Sequence, residues 1–351
     1  MTARMTSVRM PAETEPHDAT WMAWPSKSYT LGDTPADAAE ARATWAAVAN
    51  AIAEFEPVHM LVPPSERFLA PAFLKPQIQI HEVELDDAWF RDIGPTFVVA
   101  NGALAGVDWV FNGWGQQDWA SWAEDEWAAA ITLTELGVRR IESQMVNEGG
   151  GIQVDGAGTV IVTETVQLDE GRNRGWTKAQ VEEELARTIG ARKVIWLPRG
   201  LTRDSEEFGT RGHADLLATF TAPATVLVHD QRNPDHPDHA VSAELIATLE
   251  ASTDADGRPL KVVRMPAPAT LRDAEGWVDY SYINHYVCNG AVIMCAFGDP
   301  VDGGAAAILA EAYPGREIVR IDARPLFARG GGIHCITQQQ PAVPAARMEQ
   351  P

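Results

Sequence analysis

Short β-rich runs alternate along this chain with longer stretches of helical composition, and the β-rich runs carry their own turn signals. The runs are PTFVVANGALAGVDW, GGGIQVDGAGTVIVTE, ATVLVHD, CNGAVIMCAFGDP and REIVRIDARPLF. Between them lie TPADAAEARATWAAVANAIAEF, WAAAITLTELGVRRIE, TKAQVEEELARTIG, SAELIATLEAS and GGAAAILAEAY, spaced as helices are. Asn101-Gly102 and Asp155-Gly156, each flanked by apolar alternation, signal two-residue hairpins. Thr34-Pro35 puts proline at a first helical position, and Thr177 with Gln180 forms a candidate capping box. Hairpins and helices recurring together depart from the strict strand–helix order of a doubly wound sheet. Four or five hairpin-plus-helix units fit in 351 residues, which predicts an α/β fold built from a repeated module. Proline and glycine are spread evenly, with no linker, so one domain is expected over 1–351, frayed over 342–351.

Charge narrows the partners. Lys and Arg total 28 against 49 Asp and Glu, a net charge of -21. That balance excludes the basic patches which nucleic acid and anionic membranes require, and suits a cationic small molecule. Solubility alone also accounts for it. Arg4 and Arg9 are followed by no apolar core, so no secretory signal is expected, and no apolar run is long enough to span a bilayer. Three cysteines, Cys288, Cys295 and Cys335, do not make a disulfide framework and point to a reducing compartment, the cytoplasm.

Four local patterns could carry chemistry. Gly330-Gly331-Gly332-Ile333-His334-Cys335 places a thiol after a glycine turn, where backbone N–H groups can face it and a substrate can approach closely. A buried, inert cysteine would look the same. Arg211-Gly212-His213-Ala214-Asp215 sets His and Asp two apart, on one side of a strand if it is a strand. Alone it is a weak signal. Asp86-Asp87-Ala88-Trp89-Phe90-Arg91-Asp92 interleaves three carboxylates with aromatics ahead of a Gly-Pro turn, a pattern that suits a cation, or turn aspartates paired with Arg91. Asn147-Glu148-Gly149-Gly150-Gly151 sets a carboxylate before a glycine run, with neither a P-loop lysine nor a dinucleotide fingerprint.

His229, Asp230, Asp235, His236, Asp238 and His239 have ligand chemistry, but Asn233, Pro234 and Pro237 argue for a solvated loop, and no metal is expected. Trp21, Trp24, Trp109 and Trp114 read as core and pocket-wall aromatics.

Taken in order, these segments resemble the agmatine deiminase and bacterial peptidylarginine deiminase family of the guanidine-modifying superfamily. The resemblance runs through MPAETEPHDATWMAWPS, DDAWFRDIGPTFVV, VDWVFNGWG, NEGGGIQVDGAGT, GHADLLATF, SYINHYVCNGAVI and FARGGGIHCITQQQP. It implies a five-bladed pseudosymmetric α/β propeller over about 8–341, with the site in its central hollow. It also implies Cys335 as nucleophile, His213 as proton carrier, Glu148 as its partner, and Asp92 and Asp215 as carboxylates that grip the guanidinium. Trp89 and Arg211 join these as candidate substrate-binding residues.

The expected reaction, with no cofactor, is hydrolysis of a guanidinium to a ureido group and ammonia through a covalent thiouronium. Agmatine giving N-carbamoylputrescine, a step of polyamine biosynthesis, is the leading substrate, and a homodimer is common in the family. Thr14, Gln153 and the segment Asp204–Gly212 depart from the family pattern and leave the substrate's tail open. A guanidino acid or peptidyl-arginine is the alternative, and a non-catalytic guanidine-binding protein the alternative from another class.

Overall fold

The structure, a computed structural model, describes residues 7–343, so most of the expected frayed tail lies outside the described residues. It is a mixed α/β fold in which five small sheets recur with one internal order. Thr96–Ala100 and Ala103–Val110 form an antiparallel hairpin, helix Ala128–Leu136 follows, and Arg139–Val146 returns parallel to the second strand. The same order runs through Gln153–Val154, Thr159–Thr163, helix Lys178–Ile189 and Lys193–Leu197. It runs again through Ala218–Ala222, Thr225–Asp230, helix Asp238–Glu250 and Lys261–Pro266. A fourth pass uses Tyr286–Cys288, Ala291–Ala296, helix Asp302–Ala312 and Glu317–Asp322.

The fifth sheet is assembled from both ends of the chain. Gln338–Pro341 lies antiparallel to His17–Ala23; helix Pro35–Ile52 then leads to Val58–Val62, parallel to His17–Ala23, with Gln79–Glu82 beyond.

Local chemistry explains most boundaries. Asn101 and Gly102 take φ of 53° and 80° between paired Ala100 and Ala103, the two left-handed residues a tight hairpin needs. Asp155-Gly156 is not a two-residue turn as expected. Strand pairing stops at Val154 and resumes at Val160, because the Asp155 carboxylate accepts the N–H groups of Ala157 (2.7 Å) and Thr159 (2.9 Å) and holds a wider loop. Thr34 and Thr177 cap their helices with Asp37 and Gln180 in reciprocal boxes.

The expected helix through WAAAITLTELGVRRIE stops early. Gly137, at φ 65°, caps it after Leu136, and the residues beyond alternate in burial as a strand. Among the described residues no helix is long and apolar enough to cross a membrane.

One feature of this order positions the site. A short helical turn precedes the leading antiparallel strand four times: Phe90–Ile93, Gly149–Gly151, Ala214–Leu216 and His334–Ile336. A turn ending at Asn284 stands in the same place before Tyr286.

Candidate active site

Those turns bring their polar residues together. Cys335 is 4% exposed. Its Sγ receives N–H from Asn284 Nδ2 at 3.3 Å and from the Gly332 backbone at 3.5 Å, and its thiol donates to Asp215 Oδ2 at 3.6 Å. The preceding glycines are there for closeness. A Cβ on Gly331 would stand 2.6 Å from the Trp89 ring and 3.2 Å from Cys335 Sγ, and Gly330 adopts φ 97°. Burial, then the charges of Asp215 and Asp92, push the Cys335 thiol well above its ordinary pKa.

Asp92, His213 and Asp215 meet around Gly150. A Cβ there would lie 2.5 Å from His213 Nδ1, 3.0 Å from Asp92 Oδ1 and 3.1 Å from Asp215 Oδ2. Asp92 accepts N–H from Gly150 (3.1 Å) and Trp114 Nε1 (2.9 Å), and faces His213 Nδ1 at 3.7 Å. His213 Nε2 lies 3.2 Å from Glu148 Oε2. Arg172 Nε lies 3.0 and 3.1 Å from the two Glu148 oxygens and holds that carboxylate from behind.

The charges are interlocked. Burial opposes the Glu148 anion, but the charge of Arg172 and the hydrogen bond from His213 outweigh it and hold its pKa down to about 2. Burial likewise opposes protonated His213, but the charge of Asp92 and the hydrogen bond to Glu148 carry it up to about 9. Burial raises Asp92 to about 6. His213 Nδ1 and Asp215 Oδ1 are buried with no hydrogen-bond partner among the described residues, a costly state that suits atoms reserved for a ligand.

Aromatic rings complete the wall. Tyr29, Trp89, Trp114, Trp119 and Phe208, with Asp92, Thr210, Gly330 and Cys335, line a narrow slot with about 10 Å³ of free room. Phe208 stacks on Tyr29 at 4.5 Å between ring centres, and Trp119 stacks on Trp114 at 5.2 Å. A slot with ring faces on its sides and the Asp92 carboxylate at its end suits a planar organic cation.

Several expectations need correction. His213 and Asp215 do not lie on a strand: residues 214–216 form a helical turn, and the strand starts at Ala218. Arg211 therefore does not share a strand face with them. At φ 71° its guanidinium pairs with Asp169 at 2.8 Å, not with the Asp204 carboxylate. Asp204 instead accepts the backbone N–H groups of Thr210 (2.7 Å) and His213 (3.2 Å).

Of the acidic run only Asp92 enters the slot. Asp86 pairs with Lys27 at 3.1 Å, and Asp87 accepts from Thr30 at 2.6 Å. Arg91 serves none of them; it donates to Gln338 (3.0 Å) and Gln339 (2.7 Å). The His229–His239 segment is not a solvated loop. His229 and His236 are buried, on Ser281 and on the Val278 carbonyl. Among the described residues no cluster of His, Cys, Asp and Glu could hold a metal.

Asn284, Arg172 and His334 escaped the reading of the sequence. His334 Nδ1 lies 2.7 Å from Asp215 Oδ2, and its Nε2 lies 2.9 Å from Glu13 Oε2. A signal for Asn284 existed: it precedes a strand just as Asp92 precedes Thr96. Nothing local marks Arg172, whose partner Glu148 is distant in sequence.

The sequence profile of the family described as Porphyromonas-type peptidyl-arginine deiminase matches residues 9–341. A Streptomyces coelicolor protein named "Putative agmatine deiminase" is 53% identical over 335 residues, covering 95% of this chain and 98% of that protein. The agmatine deiminase of Stutzerimonas stutzeri is 40% identical over 365 residues, covering 97% of each. Among solved structures, the agmatine deiminase of Enterococcus faecalis superposes with a TM-score of 0.87 at 33% identity, over 95% of this chain and 96% of that one.

Proposed function

The chain belongs to the Porphyromonas-type peptidyl-arginine deiminase family, and from that premise we propose that it hydrolyses agmatine to N-carbamoylputrescine and ammonia, with Cys335 as the nucleophile. It is a deiminase, a hydrolase of C–N bonds. The observation that carries the proposed roles is the meeting of Asp92, His213 and Asp215 around Gly150, with Asp215 also 3.6 Å from Cys335 Sγ.

A guanidinium between Asp92 and Asp215 satisfies both carboxylates through paired N–H groups and sets its carbon before the sulfur. Its charge offsets the two anions that hold the thiol neutral, and so favours the thiolate as the substrate arrives. The thiol loses its proton to solvent, and the thiolate attacks the guanidinium carbon. Protonated His213 gives its proton to the departing nitrogen, the C–N bond breaks, and ammonia leaves a thiouronium. Neutral His213 then takes a proton from water, the oxygen attacks, and the C–S bond breaks to release the ureido product, the hydroxyl proton passing to the departing sulfur and restoring the thiol. Glu148 orients His213 and balances its charge, with Arg172 fixing Glu148. Trp89 walls the slot, and Arg211, neutralised by Asp169, shapes the loop.

Five sheets of one internal order, each with its leading turn beside the site, support a five-bladed propeller within one domain. The three unpaired thiols support a cytoplasmic setting.

The test is release of ammonia and ureido product from agmatine, arginine, guanidinobutyrate and a short arginine peptide. Agmatine is expected to give the highest kcat/KM, and Cys335→Ala to lower it by several powers of ten. Preference for another guanidine overturns the substrate, and turnover above about a hundredth in Cys335→Ala overturns the nucleophile.

A further inference from the structure

Asn284 ends the turn before Tyr286–Cys288, and its side chain is fully buried against the Cys335 sulfur. Its Nδ2 donates to Cys335 Sγ and to the Asp215 carbonyl oxygen, each at 3.3 Å, while its Oδ1 accepts the His334 N–H at 3.0 Å. These partners leave the amide one orientation. Turned over, it would set Oδ1 against the Asp215 carbonyl oxygen and its own N–H groups against the His334 N–H. Backbone groups on two neighbouring turns therefore fix the N–H that reaches the sulfur.

The glycine run makes room for this amide. A Cβ on Gly332 would stand 2.4 Å from Asn284 Oδ1 and 2.8 Å from the Phe327 ring, so only glycine lets the amide lie against the turn that carries the thiol.

Two N–H donors thus point at the sulfur: Asn284 Nδ2 and the Gly332 backbone, at 3.5 Å. A thiol is a weak acceptor, whereas hydrogen bonds to an ionised partner are roughly twice as strong as neutral ones. Burial and the anions Asp215 and Asp92 oppose a charge on this sulfur, and these two donors favour it. Donors aimed at a charge that appears only during the reaction bind the transition state better than the resting site.

We propose that Asn284 is a further catalytic residue, the side-chain donor that stabilises negative charge on the Cys335 sulfur. It acts when the sulfur attacks the guanidinium carbon and again when the sulfur departs as the C–S bond breaks. The inference rests on Cys335 being the nucleophile and adds what supports its charge. No proton leaves the amide, so the order of proton transfers is unchanged.

The test compares Asn284→Ala and Asn284→Asp with the wild type. Alanine removes the donor, while the His334 N–H keeps a second acceptor in the residue 284 backbone carbonyl at 3.2 Å, which holds the turn. Aspartate keeps the shape and an acceptor for His334, but turns an anion towards the sulfur. The kcat for agmatine is expected to fall about a hundredfold in Asn284→Ala and further in Asn284→Asp, with KM in Asn284→Ala within about twofold of the wild type. Wild-type kcat in either variant overturns the proposal. So does a loss in Asn284→Ala carried by KM, because it marks support of the Asp215 turn instead of the sulfur.

Alkylation of Cys335 by iodoacetamide at one fixed pH, followed by peptide mass spectrometry, reads the sulfur without substrate and separates this inference from its premise. It is expected to slow at least about tenfold in both variants. Turnover retained in Cys335→Ala defeats the premise, whereas an unchanged alkylation rate in Asn284→Ala defeats this inference even if Cys335 is the nucleophile. If Asn284→Ala fails to fold, the nearly isosteric Asn284→Asp decides alone: slowed alkylation and kcat support the donor, and either rate unchanged overturns it.

Discussion

The Cys335 thiol stands 3.6 Å from Asp215 Oδ2, and burial with the charges of Asp215 and Asp92 keeps its pKa well above the ordinary value. The same carboxylates that would hold a guanidinium therefore suppress ionisation of the proposed nucleophile, and this gives Asp215→Asn two opposite effects. Removing the charge makes the thiolate easier to form, so alkylation by iodoacetamide should speed up. Losing the charged grip should lower kcat/KM for agmatine by about 2–5 kcal/mol of binding. If both rates fall together, Asp215 supports the fold and does not grip substrate.

His213 carries a separate pH signature. With its pKa carried up to about 9, the imidazolium proposed to protonate the departing nitrogen persists through neutral pH, and kcat should decline only as pH rises through about 9. Glu148→Gln removes one of the charges that raise it, and should move that alkaline limb to lower pH. An unmoved limb separates Glu148 from the proton step.

At the scale of elements, the turns before the leading strands carry the site, and their legibility was uneven. Glycine runs marked the turns at Glu148 and Cys335 because close approach excludes a side chain there. Gly150 is the clearest case: a Cβ would stand 2.5 Å from His213 Nδ1. Gly150→Ala should therefore abolish turnover by displacing His213, Asp92 or Asp215, while circular dichroism stays native. Retained activity would mean that the turn yields.

The turn at Asp215 was mistaken for a strand because Gly-His-x-Asp has period-two spacing, which a helical turn does not need. The return strands Lys193–Leu197 and Lys261–Pro266 went unread, whereas the equally short, charged edge strand Glu317–Asp322 was read. Caps and the Asn101-Gly102 hairpin were legible because their chemistry is local.

At the scale of the molecule, the fifth sheet joins residues 338–341 to 17–21, a contact no local pattern announces. Glu13 ties this closure to the site. Its carboxylate accepts the Val287 N–H at 2.8 Å, meets His334 Nε2 at 2.9 Å and faces Arg91 at 3.8 Å, so one side chain links the start of the chain, the fourth unit and the turn of Cys335. Burial opposes the anion, but the charge of His334, its hydrogen bond and then Arg91 hold the pKa down to about 2, against an ordinary 4.5. A depressed carboxylate contributes stability that is full above its unfolded pKa and is lost as pH falls through its folded one. The Glu13 contribution is thus complete above about 4.5 and fades as pH drops towards about 2. It is on the order of 3 kcal/mol at most. Glu13→Gln should lower Tm by a few degrees at pH 7. The gap to the wild type should narrow steadily in calorimetry from pH 5 towards pH 3. A gap of constant size would mean that Glu13 acts through its shape and hydrogen bonds alone, and that its charge does not help to close the chain.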